Sequence, residues 1–191
     1  MLIYGITGRS GSGKSTAAKL FEKYGLKHID SDVLVHTLQG PGTECTKELI
    51  EHFGDKIRTA DGGVNRRVLA PIVYADPGEK AELERIVCKY LGLEMAKIEN
   101  DPDTKGLLID AIRLIESGRD CPVIAVVAPE DVMLSRITAR DNISKDEAKA
   151  RLLAQKPDEF YTSHAKYVII NDGDCESVSR QVDDIAKKIG L

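Results

Sequence analysis

Cysteine, net charge and long apolar runs are all in short supply in this chain of 191 residues, and each shortage removes a class of function. The four cysteines, Cys45, Cys88, Cys121 and Cys175, are scattered, with no Cys-x-x-Cys pair and no histidine at a spacing that would complete a zinc site. They are expected to be reduced thiols, which points to a cytoplasmic protein. Basic and acidic side chains nearly balance, 27 against 31, so no broad positive field invites nucleic acid, and small-molecule partners are expected. Monomer and weak homo-oligomer are left equally open. The longest aliphatic run, Val123 to Ala128, is far shorter than a bilayer span, so no membrane partner is expected. The apolar run at the N-terminus is too short for a signal peptide and is expected to belong to the fold. Internal repeats and low-complexity tracts are missing as well, and the clusters Gly40-Pro41-Gly42 and Asp61-Gly62-Gly63 read as turns.

What the chain does carry is concentrated near its start. Leu2-Ile3-Tyr4-Gly5-Ile6 leads as a strand into GRSGSGKS, Gly8 to Ser15, which satisfies G-x-x-x-x-G-K-[ST], and Thr16 to Phe21 continues as a helix. Glycines at 8, 11 and 13 let consecutive N–H groups turn inward around a phosphate chain, and the helix beginning near Lys14 adds its positive dipole end. Lys14 is then placed to reach the outer phosphates, and the Ser15 hydroxyl to ligate a magnesium ion that the phosphates also hold. A plain Gly/Ser turn with a solvated lysine is the alternative; the complete motif between strand and helix favours nucleoside triphosphate. The motif does not name the acceptor, because kinases, GTPases and motor ATPases share it.

Further along, Leu26 to Asp30 reads as a second strand, and Asp30-Ser31-Asp32 opens a helix through Leu38, with Ser31 or Asp32 placed to cap it. A carboxylate there is either that cap or a group facing the acceptor beside the phosphate loop. Helical spacing at Glu44–Phe53, Arg66–Tyr74 and Gly78–Asn100 is too extensive for a tight crossover and suggests a lobe that shapes the acceptor pocket. Adjacent Arg66 and Arg67 are either solvated or an anion site. Gly106 to Asp110 reads as a buried parallel strand, closed by an aspartate that either caps the strand end or supports magnesium. Pro122 to Ala128 is a fourth strand, and Pro129-Glu130-Asp131 begins a helix through Arg140. Ser144 to Glu147 fits a capping box for a helix over Lys145–Gln155. Arg136, Arg140 and Arg151 on these two helices are either solubilising or the working face of a lid. Tyr167 to Asn171 is a fifth strand, and Val178, Val182, Ile185 and Ile189 form the buried stripe of a last helix.

In this order the pieces resemble the dephospho-coenzyme A kinase family nearly end to end. The resemblance rests on GRSGSGKST, on IDSD followed by His36, on DGGVNRR, on ADPGEK leading into a long helix, and on IESG at Ile115 to Gly118. It continues through RITARDNISKDEAKARLLAQ to YVIINDG, where RD-x-x-S, R-x-x-x-Q and the strand ending in Asn-x-Gly are the most specific parts. The family usually has a second glycine where Arg9 stands, His-Pro at Cys88-Lys89, Pro-Leu-Leu-Phe-Glu at Ile112 to Glu116, and aspartate at Lys166.

The resemblance implies an α/β, three-layer phosphate-loop NTPase fold: a five-stranded parallel sheet of order 2-3-1-4-5 with a helical acceptor lobe and a lid. The nucleotide-binding core would comprise residues 1–39, 104–135 and 160–191, the acceptor-binding lobe 40–103 and the lid 136–159. The implied activity is ATP-dependent phosphorylation of the ribose 3'-hydroxyl of dephospho-coenzyme A, the last step of coenzyme A biosynthesis, with Mg2+. In those terms Gly8, Arg9, Ser10, Gly11, Ser12, Gly13, Lys14, Ser15 and Thr16 cradle ATP, and Ser15 with Asp110 holds the metal. Lys14, Arg136 and Arg140 offset charge on the transferring group, Asp32 orients and deprotonates the acceptor hydroxyl, and Asn171 and Gly173 line the adenine site. A nucleoside or nucleotide kinase of the same fold, and a non-enzymatic nucleotide-binding switch, are the alternatives.

Overall fold

A computed structural model of the chain describes residues 2–102, 104–110, 115 and 121–191. The IESG stretch and the segment Ile112 to Glu116 therefore lie, Ile115 apart, outside the described residues. Short runs rich in aliphatic side chains form β1 (Leu2–Thr7), β2 (Leu26–Asp30), β3 (Gly106–Asp110), β4 (Val123–Val127) and β5 (Tyr167–Ile170). All pair in parallel, in the order β2-β3-β1-β4-β5 that the sequence leads one to expect. Every residue of β3 is buried, as a strand covered on both faces requires. At the edge strand β5 the backbone would be open to solvent, but Gln181 closes it: its Oε1 accepts from Ile170 N and its Nε2 donates to Ile170 O, both at 2.8 Å.

The helices are α1 (Lys14–Glu22), α2 (Ser31–Leu38), α3 (Glu44–Phe53), α4 (Arg66–Ala75), α5 (Pro77–Glu99), α6 (Glu130–Asp141), α7 (Lys145–Leu153), α8 (Asp158–His164) and α9 (Cys175–Lys188), with a 3-10 turn at Asp55–Ile57. Side chains cap several of their starts. Thr43 accepts from Thr46 N, Asn65 from Val68 N and Asp174 from Glu176 N, and Asp76 accepts from Gly78 N with Pro77 at the first helical position. Ser144 and Glu147 complete the expected capping box. One expectation is corrected, and one element is additional. α2 starts at Ser31, so the residue preceding the helix is Asp30, while Ser31 and Asp32 lie within the first turn rather than at the cap. α8 was not foreseen; the segment Asp158–His164 has no apolar period, and what holds it is a single buried tyrosine, Tyr161.

The chain divides into two compact units. One, residues 1–30 and 102–191, contains the sheet. Ile6, Leu108, Ile124 and Val126 of the strands are buried with Ala17, Ala18 and Phe21 of α1 and with Val178, Val182 and Ile185 of α9. Ile189, just past the end of α9, is only partly buried against them. In the same unit α6 and α7 join through Met133, Leu134, Ile137, Ala148 and Leu152. The other unit, residues 31–101, is helical and centres on Leu49, Phe53, Ile57, Leu69 and Ile86. Residues 31–39, expected with the core, belong to the helical unit, because Leu34 and Leu38 of α2 pack into that cluster. No helix among the described residues is long and apolar enough to cross a membrane.

Candidate active site

The phosphate loop joins β1 to α1, and its shape is held by the residues around it. Gly8, Gly11 and Gly13 all have positive φ, at 142°, 78° and 95°. At all three close approach forbids a side chain as well, and at Gly8 a Cβ would stand 2.2 Å from the carbonyl oxygen of Val126 in β4. A Cβ on Gly13 would stand 1.9 Å from Nδ2 of Asn171, and one on Gly11 would stand 2.7 Å from the carbonyl oxygen of Met133 in α6. Gly13 caps α1 in the left-handed conformation and supplies no side-chain cap. That contrasts with the side-chain caps of α3, α4, α5, α7 and α9, and it leaves the positive end of α1 to a ligand, the arrangement that suits an anion.

Three elements remote in sequence grip this loop. From α6, Arg136 donates through Nη1 to Gly11 O at 3.2 Å and Ser12 O at 3.5 Å, and through Nη2 to Oδ1 of Asn171 at 3.0 Å. Asn171, buried just past β5, donates from Nδ2 to Ser12 O at 2.9 Å. From the end of α7, Gln155 accepts from Ser10 N at 2.9 Å and donates to Ser10 Oγ at 2.8 Å. Arg9 extends the same contact: its Nη2 donates to Leu152 O at 3.0 Å, and its Nη1 stands 3.9 Å from Asp158 of α8. Burial pushes the Asp158 carboxyl up, with Arg9 working in the opposite direction. Gln155 lay inside the R-x-x-x-Q pattern without a role, and nothing in the sequence marked Asp158.

Lys14, at the start of α1, turns back over the loop, where its Nζ donates to Gly8 O at 3.0 Å and Arg9 O at 3.3 Å. Ser15 and Thr16 follow in the first turn, both exposed. Asp110 ends β3 and is buried; in register it lies between Ile6, which leads into the loop, and Asp30, the last residue of β2. Its ion-pair partner is His28, whose Nε2 stands 3.7 Å from Oδ2, beyond hydrogen-bond distance. A buried carboxylate beside a phosphate loop, with no cation nearer than His28 among the described residues, suits magnesium, which takes one or two carboxylates together with substrate phosphates.

The remaining expected residues are placed differently. Arg140 lies at the last turn of α6 and forks onto Asp141, with Nε and Nη2 donating at 2.7 and 3.0 Å. Arg151 of α7 grips the same carboxylate, and the two arginines hold it below the usual carboxylate range, Arg140 the more strongly. Of the three arginines on these two helices, Arg136 therefore meets the loop, whereas Arg140 and Arg151 pin the turn between α6 and α7. Gly173 has a φ of 112°, and among the described residues other than its chain neighbours nothing lies within 4 Å of where a Cβ would be. Asp32 is exposed in the first turn of the other unit's α2, where a carboxylate favours the helix dipole.

Known proteins match this chain along nearly its whole length. The sequence profile of the dephospho-CoA kinase family covers residues 2–177. The dephospho-CoA kinase of Geobacter metallireducens is 35% identical over 188 residues, which is 95% of this chain and 94% of that protein. Among solved structures, TT1252 from Thermus thermophilus superposes with a TM-score of 0.73 at 29% identity, covering 100% of this chain and 98% of that one. The dephospho-CoA kinase from Campylobacter jejuni shares the fold, with a TM-score of 0.61 at 24% identity over 98% of this chain and 96% of that one. A phosphate loop of this geometry, within a match of that extent, means that the chain belongs to the dephospho-CoA kinase family.

Proposed function

We propose that this protein transfers the γ-phosphoryl group of ATP to the ribose 3'-hydroxyl of dephospho-coenzyme A. The observation that carries the reading is the phosphate loop, Gly8 to Ser15, gripped by Arg136 in a chain of this family. Phosphoryl transfer passes through a loose transition state, so the protein's work is positioning and charge neutralisation. Lys14 exchanges the carbonyls of Gly8 and Arg9 for the outer phosphates. Arg136, already oriented by Asn171, offsets charge as it develops, and Arg140 joins it by leaving Asp141 when the turn closes. Ser15 and Asp110 would hold magnesium, which supplies charge neutralisation at the phosphates. Asn171 is committed to Ser12 and Arg136, so it builds the wall of the adenine site, and the open space beside Gly173 admits the base.

Asp32 is the proposed general base. A carboxylate at this position is the kind of group that takes a proton from an acceptor hydroxyl. Arg66 and Arg67 line a cavity of about 330 Å³ in the helical unit, with Arg66 Nε fixed by Gln39 Oε1 at 2.7 Å. That cavity suits the diphosphate of the acceptor.

ADP release measured with dephospho-coenzyme A, nucleosides, nucleotides and no acceptor tests the reading. Release that depends on dephospho-coenzyme A, with phosphate on its 3'-oxygen, is expected. Preference for a nucleoside would replace the acceptor, and release with no acceptor dependence would favour a nucleotide switch. Asp32→Asn should lower turnover about a hundredfold or more while ATP binding persists. Near-normal turnover in that variant would move the base to Asp30.

A further inference from the structure

We propose that Asp158 is a positioning residue for nucleotide binding: acting through Arg9, it fastens the phosphate loop to the junction of α7 and α8. The proposal rests on the nucleotide site described above and not on the choice of acceptor.

Where the family usually has glycine, this chain carries a guanidinium that reaches both helices. The Arg9 side chain is only 12% exposed; its Nη2 donates to Leu152 O at 3.0 Å, and its Nη1 stands 3.9 Å from Oδ2 of Asp158. Nε of Arg9 is buried with no hydrogen-bond partner among the described residues, and so is Oδ1 of Asp158. Each charge therefore depends on the other for compensation. Glu159 and Glu130 add only repulsion at Asp158, while Arg9 favours its ionised form. Removing one member of such a pair leaves the other charge uncompensated.

Asp158 stands on a fixed element. α8 packs against β4 and buries Tyr161. What the pair holds is the backbone of Arg9, whose carbonyl oxygen accepts from Ser12 N at 3.2 Å and from Nζ of Lys14 at 3.3 Å. One peptide group thus carries both the turn at Ser12 and the lysine of the loop. Gln155 holds the next residue, Ser10, through its N–H and its hydroxyl. A loop ordered before the nucleotide arrives saves the cost of ordering it on binding. That saving is the same for substrate and transition state, so it belongs in KM for ATP and not in kcat.

An acid in the first turn of α8 also favours the helix dipole, and Glu159 shares that position while being exposed. It serves as the control. ATP affinity is measured by calorimetry without acceptor, and KM for ATP and kcat with dephospho-coenzyme A. Asp158→Ala and the isosteric Asp158→Asn should each weaken ATP binding about fivefold, with a matching rise in KM for ATP. Turnover at saturation should stay within about twofold. Arg9→Gly should weaken ATP binding to a similar degree, and in that background Asp158→Ala should add less than about twofold, because its route to the loop is gone. Glu159→Gln should leave ATP affinity within about twofold.

Unchanged affinity in Asp158→Asn or Arg9→Gly, an equal loss in Glu159→Gln, or a full further loss in the Arg9→Gly background overturns the role of Asp158 alone. Loss of the folded circular dichroism signal in both Asp158 variants would make the residue a stabilising one and overturn it too; if only Asp158→Ala unfolds, Asp158→Asn decides. A parent that does not bind ATP overturns the nucleotide site and the positioning role together.

Discussion

The two units use their polar side chains for different ends. In the sheet unit, Arg136, Asn171 and Gln155 bond to backbone atoms of the phosphate loop, and Arg9 of the loop donates to the backbone at the end of α7. In the helical unit, Glu48 of α3 receives Arg85, Lys89 and Tyr90 of α5 at 3.1, 2.6 and 2.7 Å, side chain to side chain. The reason is the state of the backbone. A loop bent around an anion makes few regular hydrogen bonds of its own, so side chains must supply its shape, whereas helices satisfy their own backbones and need only be fastened together. Losing a grip in the first unit should cost function more than stability, and losing one in the second the reverse.

The largest effect is expected at Lys14. Lys14→Ala should reduce turnover about a hundredfold or more, the scale of losing a preorganised group that meets developing charge, with the melting temperature nearly that of the parent. Steady-state ADP release and a thermal melt decide it; a variant that keeps more than about a tenth of the rate, a loss of only ~1.4 kcal/mol of barrier, would remove Lys14 from the phosphate site.

Next come the two arginines of α6. Arg136→Ala leaves Gly11 O, Ser12 O and Oδ1 of Asn171 without their donor, so it should weaken ATP binding and slow turnover, and it should raise hydrogen exchange across residues 8–13. Arg140→Ala should affect turnover less and leave that exchange as it was, because its partner is Asp141. Equal kinetic losses with equal exchange in the two variants would erase the distinction between gripping the loop and pinning the turn.

The smallest effect on activity belongs to Glu48→Gln, which should leave turnover within about twofold, a difference of well under 1 kcal/mol in barrier. Its consequence is thermal and depends on pH. Hydrogen bonds from Lys89, Tyr90 and Arg85 lower the Glu48 carboxyl from 4.5 to about 2 in the folded chain. A depressed carboxyl contributes stability above its unfolded value of 4.5, and that contribution disappears as pH falls toward about 2. Parent and variant melting temperatures should therefore differ at neutral pH and converge across that interval. A difference independent of pH would mean that Glu48 acts by packing alone.

Much of the fold was legible because local signals bound its elements. β2, β3 and α3 occupy the residues the sequence suggests, with Gly25 before β2, the Thr43 cap before α3 and Gly54 after it. Where several local signals compete, the sequence does not choose. Asp30, Ser31 and Asp32 are all good capping residues, and with Asp30 paired to Asp110 in β2, α2 starts at Ser31. α8 has only start signals, Pro157 before it and the acidic Asp158 and Glu159 in its first turn, and its buried residue is Tyr161.

Sequence alone sufficed for the phosphate loop, whose chemistry resides in residue types and spacing within Gly8 to Ser15, and for the family, which rests on motifs spread from GRSGSGKST to YVIINDG. The division of labour among the arginines was decided only by the tertiary structure. Arg136 and Arg140 lie one helical turn apart on α6, alike in type and charge, and no pattern of spacing separates them. Arg136 reaches a loop 125 residues away because α6 packs so closely on Gly11 that the Met133 carbonyl leaves no room for a Cβ there. One turn further along the helix passes beyond the loop, and Arg140 finds Asp141 instead. Contacts across that sequence distance follow from how helices pack on the sheet, which residue type and periodicity constrain but do not fix.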